Sequence, residues 1–159
     1  MPVLELETFL AAPVERAFDL ARSIDMHVDS TAATGERAVA GVTSGLIGLG
    51  EEVTWRARHL GVWQLLTVRI TGFDRPHHFT DTMLRGAFRS MEHDHHFAPA
   101  PGGTVMRDVF TYRSPLGPLG RLADILFLER YVRSFLTKRN QTIKAAAESE
   151  AWRRYLREG

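Results

Sequence analysis

The sequence predicts an α+β domain: a curved antiparallel sheet wrapped around a long C-terminal helix, with two short helices after the first strand. Three observations predict it. Short segments of alternating apolar and polar residues, separated by turn residues, recur from Val53 to Arg113; this is the pattern of a sequential antiparallel meander. One amphipathic strand and two short helical segments come before the meander. After Pro118 the pattern turns helical and stays so. Residues 1–150 read as a single domain, and 151–159 as a basic tail carrying Arg153, Arg154 and Arg157.

Leu4, Leu6 and Leu10 alternate with Glu5, Glu7 and Phe9, and a period of two marks a half-buried strand. Pro13 ends it and suits the first turn of a helix, where its missing N–H is not needed. Val14, Ala17, Phe18 and Ala21 then share one helical face. Ser23 is placed to cap a second short helix. Glu36 to Val42 is a less regular strand, followed by a glycine-punctuated connection from Thr43 to Gly50.

Val53, Trp55, Ala57 and His59 alternate with Glu52, Thr54, Arg56 and Arg58 in the next strand. Trp63 to Phe73 follows the Leu60-Gly61 turn, with Leu66, Val68 and Ile70 on one side. Phe79 to Leu84, Phe88 to Phe97 and Thr104 to Arg113 supply three more strands. The closing helix is apolar on nearly every side from Leu119 to Leu128. It then narrows to a stripe of Val132, Phe135, Leu136 and Ile143, with Arg130, Arg133, Lys138 and Lys144 outside. A helix apolar all round needs cover. Its first half is therefore expected against the concave face of the sheet, where Leu126→Asp would bury an unpaired charge.

With 159 residues, 44% apolar and 25% charged, the chain has ordinary globular composition and can bury a core with interior volume to spare. A net charge of +1 gives no overall field that would favour nucleic acid or an acidic membrane. The absence of cysteine excludes disulfides, thiolate metal sites and a cysteine nucleophile, and fits a reducing compartment. Acidic residues appear at once after Met1, with no apolar segment of signal-peptide type and no run of membrane-spanning length. A cytoplasmic protein is expected, a monomer or weak homodimer without cofactor or stable membrane insertion.

The order strand, two short helices, meander, long helix resembles the START-like or SRPBCC superfamily with its helix-grip fold. The resemblance spans nearly the whole chain. It is carried by Ala12-Pro13-Val14-Glu15-Arg16-Ala17-Phe18, by Gly86-Ala87-Phe88 leading to His93, His95 and Phe97, by Gly103 to Tyr112, and by the helix after Pro115-Leu116-Gly117. That superfamily includes polyketide cyclases, plant allergen-like binders, lipid-transfer domains and a co-chaperone branch. The resemblance implies a cavity between sheet and helix whose ligand varies from member to member. It carries over no shared catalytic motif, because fold alone does not give function.

The densest chemistry is Met91-Glu92-His93-Asp94-His95-His96-Phe97. Strand alternation puts Met91, His93, His95 and Phe97 on one face, and Met106, Asp108, Phe110 and Tyr112 on the corresponding face of the next strand. Asp108 is thus expected to point inward beside His93 or His95, since a buried carboxylate needs a polar partner. Three readings stand: a structural polar cluster, a ligand-orienting patch, or a metal site, which His-x-His alone supports poorly.

The expected cavity lining is Val53, Trp55, His59, Leu66, Val68, Met91, His93, His95, Asp108, Phe110, Leu122 and Leu126, with entry near Gly45 to Gly50. His77-His78 reads as a solvated loop and Trp63 as a core residue. Gly45 to Gly50 lacks the spacing and lysine of a phosphate loop, and Ser44, Ser90 and Ser114 lack a nucleophile elbow. The leading function is binding or transport of a hydrophobic small molecule or lipid. The alternatives are a cyclase or dehydratase with His93 or His95 as base and Asp108 as its partner, and a ligand-free interaction module of the co-chaperone type.

Overall fold

A computed structural model describes residues 1–156. Strand β1 (Val3–Leu10) leads into helices α1 (Val14–Ala21) and α2 (Ile24–Ser30). Strands β2 (Arg37–Gly41), β3 (Glu52–His59), β4 (Val62–Asp74), β5 (His78–Arg85), β6 (Ser90–Ala100) and β7 (Gly103–Arg113) follow. Helix α3 (Gly117–Ala123) passes through one π-helical turn, Asp124–Leu128, into α4 (Glu129–Ala147). The seven strands form one antiparallel sheet in the order β1-β7-β6-β5-β4-β3-β2. Ser23 caps α2 as expected, its hydroxyl accepting the Met26 N–H at 3.2 Å.

Register shifts interrupt the β2–β3 pairing near Ala38 and the β4–β5 pairing near Thr67 and Ile70. Such bulges bend a strand and raise its local twist, which suits a sheet that must curl around a helix. Phe18 of α1 meets Phe73, Phe79 and Phe97 edge-on, with ring centroids 5.5, 5.3 and 5.3 Å away. This cluster closes one end of the concave face, and α4 lays Val132, Leu136 and Ile143 into the same core.

The first half of the C-terminal helix is not where its apolarity suggested. Leu119, Leu122, Ile125, Leu126 and Phe127 are 49 to 79% exposed. The elements packed over the concave face are instead α1, α2 and the second half of the helix, and no strand packs broadly against α3. All-round apolarity states a demand for cover; Leu128, at the end of the segment, packs against the core, while the five residues above stay exposed. Trp63 likewise lies outside the core, 51% exposed, with the Arg56 guanidinium 4.1 Å from its ring centre. Beyond α4 the chain turns back through Glu150–Arg154, placing the Trp152 ring 4.2 Å from the Arg16 guanidinium. Arg157 lies outside the described residues.

Candidate functional site

A cavity of about 300 Å³ opens between the concave face and α2 and α4. Strand alternation delivers most of its wall. Val53, Trp55, His59, Leu66, Val68, Met91, His93, His95 and Phe110 all line it. Leu122 and Leu126 do not; they lie on the uncovered helical half described above. Asp108 is fully buried and sits behind the histidines rather than on the surface of the cavity.

The mouth is also not where the glycines suggested. Ile47 is buried against the cavity, and its segment is pinned by hydrogen bonds: Gly45 N–H to Asp25, Ile47 N–H to the Arg22 carbonyl and Gly50 N–H to the Ile70 carbonyl. The exposed lining residues Leu60, Leu65, Ala87 and Pro115 lie at the far end of β3 from those glycines. The exposed apolar residues of α3 and the π turn follow directly on Pro115.

One wall carries a buried proton network. β6 and β7 pair without a register shift, with His95 opposite Asp108. His93 Nε2 lies 2.8 Å from Asp108 Oδ1, and His95 Nε2 lies 2.8 Å from Asp81 Oδ2. His95 Nδ1 stands 3.4 Å from Asp108 Oδ1, close enough for attraction without a well-formed hydrogen bond. From α4, Asn140 Nδ2 donates to Asp108 Oδ2 at 2.7 Å, and an Arg139 guanidinium nitrogen lies 3.6 Å from Oδ1. Asp81, Arg139 and Asn140 were not singled out from sequence. Each carries a readable signal, since Asp81 follows Phe79 by two on β5, while Arg139 and Asn140 follow Leu136 by three and four on the apolar stripe.

These contacts divide the histidines. Burial alone would raise the Asp108 carboxyl, but His93, His95 and Arg139 outweigh it and hold Asp108 well below the usual carboxylate range. An ionised carboxylate only accepts, so His93 donates from Nε2. Burial and the neighbouring His95 keep His93 below its ordinary value despite Asp108. A neutral His93 bonded this way leaves Nδ1 as a lone-pair acceptor. Burial also opposes charge on His95, but Asp108 and Asp81 outweigh it and raise that ring above its ordinary value.

Opposite this wall is a smaller polar group. His27 Nε2 lies 2.9 Å from Glu36 Oε1, and His59 Nδ1 lies 2.7 Å from the Tyr131 hydroxyl. All four residues line the cavity, and only His59 was picked out from sequence. His27 lies on α2, Glu36 just before β2 and Tyr131 on α4, with no local pattern to link them.

Two sets of donors have spacing that could hold a cation: Asp81, His93 and His95 inside, and His78, Asp94 and His96 on the convex face. The inner set is already engaged in hydrogen bonds beside the fixed charge of Arg139. In the outer set, His78 belongs to β5 rather than a loop. Its Nε2 lies 3.0 Å from Asp94 Oδ1, and its ring stacks on His96.

A family model described as polyketide cyclase / dehydrase and lipid transport matches residues 1–148. The chain belongs to this family. Solved structures share its START-like fold. A Thermus thermophilus protein, TTHA0849, is 20% identical with a TM-score of 0.71, covering 92% of this chain and 99% of its own. A START superfamily protein from Mycobacterium smegmatis is 10% identical with a TM-score of 0.69, covering 92% and 97%. The major latex-like protein 151 of Panax ginseng is 17% identical with a TM-score of 0.68, also covering 92% and 97%. No curated protein matches the sequence. No helix among the described residues is long and apolar enough to cross a membrane.

Proposed function

We propose that this member of the family binds a hydrophobic small molecule or lipid inside the cavity between sheet and helix. The observation that carries the reading is the cavity itself. Its wall is built mainly of Val53, Trp55, Leu66, Val68, Met91 and Phe110, with polar groups confined to a few positions. An apolar pocket with few convergent polar groups suits a ligand with an apolar body and a polar end. His93 and Arg139 put polar residues on the cavity wall for that end. The apolar residues at the mouth would ease passage of such a molecule.

Thermal unfolding against a panel of fatty acids, isoprenoids and aromatic polyketides tests the reading. A ligand raises the melting temperature as its concentration passes its Kd. If no member of the panel shifts it, and native mass spectrometry finds no co-purified molecule, the binding reading fails.

A second reading, a cyclase or dehydratase, is favoured by the His93–Asp108 pair. The carboxylate fixes the tautomer, and Nδ1 could take a proton from an acidic carbon or hydroxyl of a bound substrate. Turnover abolished by His93→Gln, with binding retained, would separate catalysis from carriage.

A further inference from the structure

Glu36, just before β2, lines the cavity although it is only 6% exposed. Its Oε1 bonds to His27, whose ring lies over the Trp55 indole with centroids 4.2 Å apart. Its Oε2 is buried and has no hydrogen-bond partner in the protein. A carboxylate oxygen out of water and without a donor is costly. The Tyr131 hydroxyl, also on the cavity wall, is hydrogen-bonded to His59 rather than to Glu36. Both those residues sense the Glu36 charge: burial lowers His59 and Glu36 partly restores it, while burial and then Glu36 raise Tyr131.

Topology sets this station apart from the histidine network. Trp55 and His59 lie on β3 and His93 and His95 on β6, with β4 and β5 between. Three strand spacings put the two stations about 14 Å apart along the sheet, and nearer across its curl. The floor between them is apolar, made by Leu66, Val68 and Ile70 of β4.

We propose that Glu36 is a ligand-anchoring site that accepts a hydrogen bond from a hydroxyl or ammonium group on an otherwise apolar molecule. The inference rests on the cavity being a ligand site, and it names the chemistry of one end of the ligand.

Isothermal titration with decylamine, decan-1-ol and decanoic acid tests it on the wild-type protein and on Glu36→Gln and Glu36→Leu. A hydrogen bond to a charged group corresponds to about 10- to 100-fold in affinity. Both variants should weaken decylamine by that factor and decan-1-ol by less, and leave decanoic acid within about twofold. Glu36→Gln should unfold at or above the wild-type temperature, because it keeps an oxygen for His27 and replaces the unpartnered carboxylate oxygen with a neutral amide group. In the wild-type protein, decylamine should also shift the His27 ring signals more than decanoic acid does, a readout that needs no variant. If decanoic acid binds but decylamine affinity is unchanged by Glu36→Gln, the anchoring site is overturned and the cavity reading survives. If none of the three probes binds, the anchoring site falls, and the cavity reading is decided separately by the wider ligand panel.

Discussion

Asp108→Asn is the sharpest probe of the buried network. Asp108 Oδ1 accepts from His93 Nε2 at 2.8 Å, and Oδ2 accepts from Asn140 Nδ2 at 2.7 Å. An asparagine has one acceptor oxygen and one amide nitrogen, so it can serve one donor and must face the other with its own N–H groups. One bond to a charged acceptor is lost, worth about 1.5–3 kcal/mol. Arg139 and His95 also lose a carboxylate while remaining buried. The expected total is about 3–5 kcal/mol.

Urea unfolding at neutral pH reads this directly. With a slope of about 2 kcal/mol/M, the midpoint should fall by about 1.5–2.5 M. The pH dependence has a definite sign. Asp108 is depressed below its ordinary 3.8 in the folded state, so its contribution is present above 3.8 and lost as pH falls through the folded value. The variant should therefore lose less stability than wild type on acidification below 3.8. A loss under about 1 kcal/mol, with an unchanged acid limb, would refute the assignment of Asp108 as the charge that holds this wall together.

Three further outcomes are expected. Leu126→Asp, on the exposed half of the helix at 62% exposure, should change stability by no more than about 0.5 kcal/mol, whereas Leu136→Asp, 3% exposed, should cost more than about 4 kcal/mol in chemical denaturation; equal costs would contradict the exposure of α3 and the π turn. Histidine NMR titration should place His95 above and His93 below the ordinary 6.5, so that His95 stabilises fully below 6.5 and its contribution fades as pH rises through its raised value, while His93 acts in the opposite direction; the reverse order would overturn the tautomer argument. Gly103→Ala would put a Cβ 2.0 Å from the Leu10 carbonyl oxygen and should cost about 1–3 kcal/mol by prising β1 from β7; a neutral result in thermal unfolding would show that the edge pairing yields.

The meander, the two short helices and the inward faces of β3, β6 and β7 were legible in the sequence because strand facing is local. Alternation at a period of two puts His93, His95 and Asp108 on one side, and with no bulge between β6 and β7 nothing reverses that order. Asp81, Arg139 and Asn140 lay within the same periodic patterns, yet their meeting required β5, β7 and α4 to be brought together by the curl of the sheet. Glu36 had no periodic signal at all; its place beside His27 and Trp55 follows from how β2 and α2 pack. The segment from Leu119 to Leu128 shows the limit most plainly. Periodicity reports which sides of a helix call for cover, but whether cover exists depends on the space left after every other element has packed. Here α1, α2 and α4 cover the concave face, so the mouth and the exposed apolar residues beside it were decided only by the tertiary structure.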